Sequence, residues 1–538
     1  TYKMQMESNI LHGPPSTPLD VKYSSLGQLI LNQLGVHKSK VINAHTGEEQ
    51  TFQDILDISR KLAIALDKVG VKKDDRIAIC SENNLEFCLP VCATFYLGAT
   101  VCPLNPLYSE RELKHLLNLS KPKYIFVSSI ALNVMSKVAN ELPWLPKLVT
   151  LTASNDNKLP SIKSLTSDII IDDNFHACPV DINDHVAVIS CSSGTTGLPK
   201  GVMVTDKNIL TVLQNLAISS PLLVKNDLPN LALLPLFHAY AFIVQIARFA
   251  FGNKSIILSR FDEKVFLRTI EKYRIEHLTL VPPLMLFLAK HPLVDKYDLS
   301  SVKEVWCGAA PLSEQIAKAV KKKLKLNNIK QGYGLTETTL GVLNTPNDNT
   351  KYGSVGTLAP GISAKVIPID GNSNTALGPY CEGELCFKGN LIMKGYCNDE
   401  KSTALTIDKD GWLHTGDVGY YDKDGYFYIV DRLKELIKYK GFQVPPAELE
   451  ALLLACPGIK DAAVIGLPNE EAGELPTAFI VKQEGFNLTA EEIINYVNER
   501  VSSHKRLRGG VRFMENIPKT ASGKILRREL RDILKSKL

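Results

Sequence analysis

Residues 190–201 read Ser-Cys-Ser-Ser-Gly-Thr-Thr-Gly-Leu-Pro-Lys-Gly, a loop rich in hydroxyl groups between two apolar runs at 186–189 and 202–204. Glycine lets the backbone amides of such a loop point inward without Cβ clashes, and hydroxyl and ammonium groups bind phosphate oxygens. The residues that would contact phosphate are Ser192, Ser193, Gly194, Thr195, Thr196, Gly197 and Lys200. A solvated linker is not expected between two strand-like runs, so the stretch predicts a polyphosphate-binding loop.

The spacing of this loop differs from that of the P-loop of ordinary nucleotide hydrolases. Two residues separate Gly194 from Gly197, and Lys200 is followed by glycine instead of serine or threonine. Nucleotide hydrolysis of the usual P-loop kind is therefore disfavoured.

Length and composition limit the classes of protein that remain. A chain of 538 residues is longer than a single hydrophobic core usually supports, so at least two domains are expected. Its 45% hydrophobic and 22% charged residues are typical of a globular protein and exclude a disordered or fibrous one. A net charge of +5 implies no nucleic-acid partner. The longest uncharged apolar stretch, 231–247, is shorter than the roughly 20 residues of a membrane helix, so no transmembrane segment is predicted.

The cysteines and the final tripeptide bear on the cellular compartment. Eleven cysteines are scattered without paired spacing, which is typical of free thiols in a reducing compartment. The last three residues are Ser536, Lys537 and Leu538, a peroxisomal address read at a free C-terminus. We therefore expect a peroxisomal location and recognition by a peroxisomal import receptor.

The order of apolar and amphipathic segments predicts the architecture. Up to about residue 350, predicted strands alternate with predicted helices (strands 76–80, 124–127, 186–189, 278–281 and 302–306; helices 109–117 and 314–326). This alternation predicts parallel α/β sheets covered by helices. From about Gly353, glycine-rich turns between short alternating segments predict an antiparallel, barrel-like region. A smaller α+β unit follows, so the predicted domains are 1–431 and 432–538.

Six further motifs follow the loop: Cys307-Gly-Ala-Ala-Pro-Leu312, Gln331-Gly-Tyr-Gly-Leu-Thr-Glu337, His414-Thr-Gly-Asp417, Asp431-Arg-Leu-Lys434, Ile437-Lys-Tyr-Lys-Gly441 and Pro518-Lys-Thr-Ala-Ser-Gly-Lys524. With the loop, they stand in the order found in adenylate-forming enzymes, a family that includes acyl- and aryl-CoA ligases and beetle luciferases, and the chain resembles that family over nearly its whole length. The resemblance implies a large domain of two parallel α/β subdomains and a β-barrel-like subdomain, followed by a small mobile α+β domain. It also implies ATP-dependent activation of a small carboxylic acid as its adenylate, with Mg²⁺, and transfer to coenzyme A.

The same resemblance assigns the nucleotide site. Glu337 would bind Mg²⁺, Thr336 would contact phosphate and Tyr333 would stack on adenine. Asp417 would accept hydrogen bonds from the ribose hydroxyls, and Arg432 would place a charge near the ribose or phosphate. The remaining nucleotide-binding residues would be Gly308, Ala309, Ala310, Gln331, Gly332, Gly334 and Leu335. Without the family pattern, Thr336 and Glu337 would suggest a helix cap and Asp417 a turn.

Catalytic roles are also implied. Lys524 would bring its ammonium group to the α-phosphate and the substrate carboxylate during adenylation, where charge develops. Rotation of the small domain about 431–434 would then present Lys438, Lys440 and Gly441 for the second half-reaction. His238 would lie beside the acid pocket, although a lone histidine in an apolar segment is also typical of a buried core residue.

Two reactions compete for the adenylate. Beetle luciferases carry a doubled histidine where this chain has Phe237 and His238, and a serine where it has Leu340. With Phe242, Val244 and Val342, these positions predict an apolar pocket for a fatty or aryl-propenoic acid, and hence a CoA ligase. The alternative is a light-emitting monooxygenase acting on an adenylated luciferin. A non-enzymatic binding module is disfavoured because both Glu337 and Lys524 are present.

Overall fold

The computed structural model describes residues 5–16, 23–152, 159–192, 199–347, 351–369, 375–440, 442–520 and 523–535. The predicted phosphate-loop residues Ser193, Gly194, Thr195, Thr196 and Gly197 lie outside the described residues, as do Gly441 and the C-terminal tripeptide. Within the described part of the chain, no helix combines the length and the apolar character needed to cross a membrane.

The strands, in chain order, are β1 Gln5–Glu7, β2 Ile10–His12, β3 Lys40–Asn43, β4 Glu49–Thr51, β5 Arg76–Cys80, β6 Thr100–Leu104, β7 Tyr124–Val127, β8 Lys147–Thr150, β9 Val186–Ser192, β10 Lys200–Thr205, β11 Pro229–Ala232, β12 Lys254–Ile257, β13 His277–Leu280, β14 Glu304–Cys307, β15 Lys330–Tyr333, β16 Leu343–Asn344, β17 Thr357–Leu358, β18 Ile362–Ile367, β19 Gly383–Gly389, β20 Gly395–Tyr396, β21 Leu413–Tyr421, β22 Phe427–Arg432, β23 Ile437–Tyr439, β24 Phe442–Val444, β25 Ile459–Asn469, β26 Gly473–Lys482 and β27 Val511–Phe513.

The α-helices are α1 Leu26–Val36, α2 Phe52–Lys68, α3 Cys88–Tyr96, α4 Glu110–Ser120, α5 Ser129–Asn140, α6 Ile162–Thr166, α7 Asp206–Ser219, α8 Ala239–Ala250, α9 Glu263–Tyr273, α10 Pro282–Lys290, α11 Glu314–Lys323, α12 Glu400–Thr406, α13 Pro446–Ala455, α14 Ala490–Asn498 and α15 Arg527–Lys535. Local sequence sets several helix starts. Ser109 and Glu112, for example, form a capping box at the start of α4.

Two mainly parallel sheets form most of the large domain, as the alternation of segments predicted. One has the order β20-β10-β9-β6-β5-β7-β8 and the other the order β17-β16-β15-β14-β13-β11-β12-β3-β4. Helices cover these sheets, so central strands such as β7 are buried along their whole length. The carboxyl ends of β14 and β15 lie next to each other in the second sheet. A ligand of a parallel α/β sheet binds at such an edge.

The antiparallel region is a six-stranded sheet with the order β1-β2-β18-β19-β21-β22. Its first two strands come from the chain's N-terminal segment, and β2 pairs with β18 about 350 residues later. Among the described residues the two outer strands do not pair with each other. The region predicted to be barrel-like is therefore an open sheet.

The small domain has its own sheet and hydrophobic cores. β24, β23, β26 and β25 form its sheet, and β27 pairs in parallel with β26. One core packs α13 and α14 against the sheet, and a second core packs α15 against the other face. The chain passes into this domain between the end of β22 at Arg432 and the start of β23 at Ile437.

Candidate active site

Several predicted nucleotide-binding residues lie where β14 and β15 end. Ala309 has a left-handed backbone (φ 70°) that turns the chain after Gly308. A Cβ on Gly308 would lie 3.5 Å from the carbonyl oxygen of Gly332 and 3.7 Å from the Tyr240 ring. Ala310 follows on the same turn. The structure therefore brings the predicted Gly308–Ala310 segment beside Gly332, and it adds Tyr240, which the sequence analysis did not assign.

The backbone after β15 requires a glycine. A Cβ on Gly334 would lie 1.7 Å from the carbonyl oxygen of Leu340, so no other residue fits there. Thr336 and Glu337 then form a short 3₁₀ turn with Thr338, in which the Thr338 hydroxyl accepts the Leu335 amide hydrogen bond. Thr338, and not the Thr336–Glu337 pair, therefore caps this turn. Gln331, a predicted nucleotide-binding residue, is buried. Its side-chain amide donates a hydrogen bond to the carbonyl of Ser354 over 3.5 Å.

Asp417 lies at the centre of the site. The Tyr333 hydroxyl donates to its Oδ2 over 2.6 Å, and Nε of Arg432 lies 3.1 Å from its Oδ1. Burial raises the pKa of Asp417, while Arg432, the Tyr333 hydrogen bond and Lys524 all act to lower it. Although Arg432 is close, Oδ1 accepts no well-aligned hydrogen bond from the described residues. A buried carboxylate oxygen that accepts no other hydrogen bond can accept one from a ribose hydroxyl.

Lys524 reaches the same centre from the small domain. Its turn is closed by a hydrogen bond from the Thr520 amide to the Lys524 carbonyl over 2.8 Å. Burial and the positive charge of Arg432 lower the pKa of Lys524 to about 8, against the opposing influence of Asp417, Glu435 and Glu337. The structure thus brings Lys524, Arg432, Asp417 and Glu337 within electrostatic reach of one another.

Glu337 is linked to Lys200 through Tyr396. Its Oε1 accepts a hydrogen bond from the Tyr396 hydroxyl over 2.9 Å, and the Lys200 ammonium lies 4.5 Å from the centre of the Tyr396 ring. Sequence reasoning missed Tyr396, because nothing in its local sequence distinguishes it from a core tyrosine. A carboxylate with one oxygen not engaged by Tyr396 could hold Mg²⁺ across ATP phosphates.

Ser192 marks the start of the phosphate loop. It ends β9, and its buried Oγ has no hydrogen-bond partner among the described residues. Buried hydroxyls are normally paired, so Ser192 Oγ and Asp417 Oδ1 are suited to groups that a ligand supplies. The residues present therefore fit ATP, with phosphate toward Ser192 and ribose toward Asp417.

His238 caps the helix that leads away from the site. Its Nδ1 accepts a hydrogen bond from the Tyr240 amide over 3.3 Å at the start of α8. Burial lowers the pKa of His238, and the charge of Lys524 lowers it further. A neutral imidazole therefore stands within the electrostatic influence of the Lys524 ammonium, and its place beside the acid pocket stays a prediction.

Lys438 and Lys440 lie elsewhere. Both are exposed on the small domain, where the Lys438 amide donates to Glu474 and the Lys440 amide to the carbonyl of Ala472. The structure therefore brings Lys524 to the large domain and leaves Lys438 and Lys440 at the surface.

One face of α8 leads from the nucleotide site into the large domain. Tyr240, Val244 and Arg248 recur every fourth residue and share this face, with Tyr240 beside Gly308. Phe242 faces another way, because a step of two residues turns a helix by about 200°. It lines a small apolar cavity with residues of α1 and α3, so its place in the acid pocket stays a prediction.

Buried polar atoms without partners gather at the far end of this face. Among the described residues, these atoms are Nε of Arg248, Nε2 of Gln245, Oδ1 of Asn230 and Nδ1 of His277, while Nε2 of His277 lies 3.5 Å from Oε2 of Glu304. Asn230 and His277 are paired neighbours on β11 and β13, and Arg248 donates to the Leu231 carbonyl over 2.8 Å. Among the described residues no carboxylate is within ion-pair distance of Arg248. Burial lowers its pKa to about 10, so it stays charged at neutral pH.

Known proteins are similar to this chain over most of its length. The sequence profile of the family described as AMP-binding enzyme matches residues 32–397, and the profile described as AMP-binding enzyme C-terminal domain matches residues 448–524. A luciferin 4-monooxygenase of Photuris pensylvanica is 43% identical over 549 residues, covering 99% of this chain and 100% of that protein. 4-Coumarate–CoA ligase 1 of Petroselinum crispum is 40% identical over 504 residues, covering 92% of this chain and 91% of that protein. The crystal structure of ATP-bound MatB from Rhodopseudomonas palustris matches with a TM-score of 0.86 at 25% identity, covering 96% of this chain and 99% of that one.

Proposed function

The chain belongs to the family of AMP-binding, adenylate-forming enzymes, and from this premise we propose that it is an acyl-CoA ligase that activates a carboxylic acid with ATP and transfers it to coenzyme A. The observation that carries the proposal is the approach of Lys524 to Asp417. If Asp417 binds the ribose, the half-buried Lys524 ammonium beside it would put positive charge where the α-phosphate of a bound ATP is attacked.

In the adenylation step, each of these residues has a separate role. Asp417, held by the Tyr333 hydroxyl, orients the ribose, while Lys524 and Arg432 stabilise negative charge on the phosphate as the acid carboxylate attacks and pyrophosphate leaves. Glu337 would hold Mg²⁺, which when bound neutralises charge on the leaving phosphates. Neutral His238 at the start of α8 contributes a hydrogen-bonding ring beside the incoming carboxylate.

The second half-reaction requires a different face of the small domain. Lys438 and Lys440 are exposed here, so they can approach the adenylate only after a rotation near Arg432 to Ile437. We assign them to the thioester-forming state, in which the coenzyme A thiol attacks the acyl carbon and AMP leaves.

For the acid, we propose an aryl-propenoic acid with a hydrogen-bonding group on its ring. The face of α8 between Tyr240 and Arg248 spans eight residues, about 12 Å of helix. It begins at the nucleotide site and ends at Nε of Arg248 and Nδ1 of His277, which have no hydrogen-bond partner in the described part of the chain. A saturated fatty acid would leave these atoms unpaired at a cost of about 1–3 kcal/mol each, whereas a ring hydroxyl could pair with them. The similarity to 4-coumarate–CoA ligase supports this choice.

A luciferase is the second candidate, and the 43% identity to a luciferin 4-monooxygenase favours it. In that reaction the adenylate would be oxidised by oxygen with emission of light. Leu340 and the single histidine at 238 differ from the luciferase pattern, which is why we place the ligase first.

A pyrophosphate-release assay over a panel of acids tests the proposal. The panel contains cinnamate, 4-coumarate, decanoate and benzothiazole luciferin, each with and without coenzyme A. We expect 4-coumarate to give the fastest release and to yield a CoA thioester. If pyrophosphate were released only with luciferin, with emission of light and with no CoA thioester formed from any acid, the luciferase would be established instead.

A further inference from the structure

A cluster of three metal-binding side chains lies in the antiparallel sheet, outside the nucleotide site. Glu384 and Cys386 lie on β19, and His414 lies opposite Cys386 on β21. A bulge interrupts the pairing between Glu384 and Cys386. One carboxylate oxygen, the Cys386 Sγ and a ring nitrogen of His414 all lie within 4.8 Å of one another.

The separations of these atoms are those of ligands around one small ion. Sγ of Cys386 lies 3.6 Å from Nδ1 of His414, and that nitrogen lies 3.1 Å from Oε2 of Glu384. A tetrahedral zinc ion, with bonds of about 2.3 Å to sulfur and 2.05 Å to nitrogen or oxygen, separates sulfur from nitrogen by about 3.6 Å and nitrogen from oxygen by about 3.3 Å. The side chains therefore need little movement to bind zinc.

The surroundings of the cluster also resemble those of a metal centre. Nε2 of His414 lies 3.5 Å from Oδ2 of Asp408, the arrangement in which a carboxylate orients a metal-binding imidazole. Cys386 is fully buried, while the Glu384 and His414 side chains are 16% and 23% exposed. This exposure leaves an approach for an ion and a position for a water as fourth ligand. Lys365, whose charge acts on Cys386, lies over the Trp412 ring at 4.8 Å.

We propose that Glu384, Cys386 and His414 form a binding site for zinc or a similar borderline-soft divalent cation. Binding releases the thiol proton of Cys386 to solvent, together with any proton on Nδ1 of His414, and the ion takes their place. No electron transfer is involved. The site goes beyond the proposed adenylation, in which none of these three side chains was assigned a role.

The position of the site connects it to the nucleotide site. The second carboxylate oxygen of Glu384, Oε1, accepts the amide hydrogen bond of Gly416 over 2.9 Å, directly before Asp417. An ion on Oε2 would fix Glu384 and, through it, the turn that carries Asp417. Zinc should therefore stabilise this turn and not only the sheet.

Cobalt binding to the full-length protein tests the site, because a cobalt–thiolate bond gives a charge-transfer absorption in the near ultraviolet. We expect the metal-free protein to show this band after addition of about one Co²⁺ per chain, and Zn²⁺ to displace it. Cys386→Ser should lose the band, whereas Cys397→Ser, a control at another buried free thiol, should keep it. Asp408→Asn should retain the band with about 10–100-fold weaker affinity.

Each result decides the proposal. If Cys386→Ser is unstable, His414→Gln removes the nitrogen ligand instead, and the thiolate band should then need a much higher cobalt concentration; an unchanged cobalt titration would overturn the site. A wild-type protein without the thiolate band, or a band that survives Cys386→Ser, would overturn the site and leave the cluster as a hydrogen-bond network. Pyrophosphate release is not part of this readout, so the result is independent of the proposed ligase activity.

Discussion

Gly523 lies directly against Pro283, so that a Cβ on Gly523 would come within 2.8 Å of the proline Cγ. Pro283 belongs to α10 of the large domain, and Gly523 immediately precedes Lys524 in the small domain. The contact therefore sets how deeply the turn that carries Lys524 enters the active site.

Gly523→Ala should impair adenylation by keeping this turn away from Pro283. Gly485→Ala is the matched control, because the two glycines have φ of 83° and 84°, while Gly485 has open space around its Cβ position. Both variants carry the same backbone strain, but only Gly523→Ala should slow pyrophosphate release, by roughly 100-fold for a displacement of about 1 Å. Thioester formation from supplied acyl-adenylate should be unchanged in both. Equal loss in the two variants would mean that strain, not docking, is responsible.

The reduced pKa of Lys524 predicts a pH dependence. Because burial and Arg432 lower that pKa to about 8, the free enzyme loses the ammonium charge as pH rises through 8. The kcat/KM for pyrophosphate release should therefore fall above about pH 8. Arginine stays charged throughout this range, so Lys524→Arg, even if slower, should show no such fall. A wild-type profile that stays level to pH 10 would contradict the role of this charge.

Lys438→Ala should separate the two half-reactions. Lys438 is exposed and far from Lys524 in sequence, so its loss should leave pyrophosphate release unchanged and slow formation of the CoA thioester. Lys460→Ala removes another exposed lysine of the same domain and should affect neither step. Single-turnover kinetics of both steps would show this, and a loss of adenylation in Lys438→Ala would refute the assignment.

Glu337→Gln should raise the Mg²⁺ concentration needed for half-maximal activity. The amide keeps an oxygen ligand and can still accept the Tyr396 hydrogen bond, but it carries no charge. Tyr396→Phe removes the hydrogen bond and keeps the carboxylate, so it serves as the control and should shift the Mg²⁺ dependence less. A titration that is unaltered in Glu337→Gln would place the ion elsewhere.

Arg248→Met should remove the preference for a hydroxylated ring. We expect the ratio of kcat/KM for 4-coumarate over cinnamate to fall about tenfold, since each hydrogen bond at a buried site contributes about 1–3 kcal/mol. Activity with cinnamate should persist. Arg76→Met, at an arginine that likewise donates to backbone carbonyls, should leave the ratio unchanged. An unchanged ratio in Arg248→Met would show that the ring does not reach this end of α8.

Local sequence predicted the elements of the parallel sheets well. The strands at Arg76–Cys80 and Tyr124–Val127 match the predicted bounds, because continuous apolar runs between turn residues have few alternatives. The pairing of Ile10–His12 with the strand Ile362–Ile367 was not predicted. It joins segments far apart in sequence, and nothing local in either segment specifies the partner.

The sequence motifs predicted which residues form the site, but they predicted only part of its spatial arrangement. The motifs at Asp417, Glu337 and Lys524 indicated the residues that the structure brings together. Tyr396 and Arg248 were not predicted as site residues. Tyr396, in a short glycine-containing strand, and Arg248, in an apolar helix, acquire their roles only from neighbours such as Glu337 and His277, which tertiary packing supplies.

The most direct test of the account is the fate of the adenylate formed from 4-coumarate. The enzyme is incubated with 4-coumarate, ATP and Mg²⁺, separated from free ATP with its adenylate bound, and then given coenzyme A under air, with mass spectrometry and photon counting in parallel. We predict conversion of the bound adenylate to 4-coumaroyl-CoA and AMP without light. An adenylate that persists with coenzyme A, while benzothiazole luciferin under the same conditions is oxidised with bright emission, would contradict the ligase assignment.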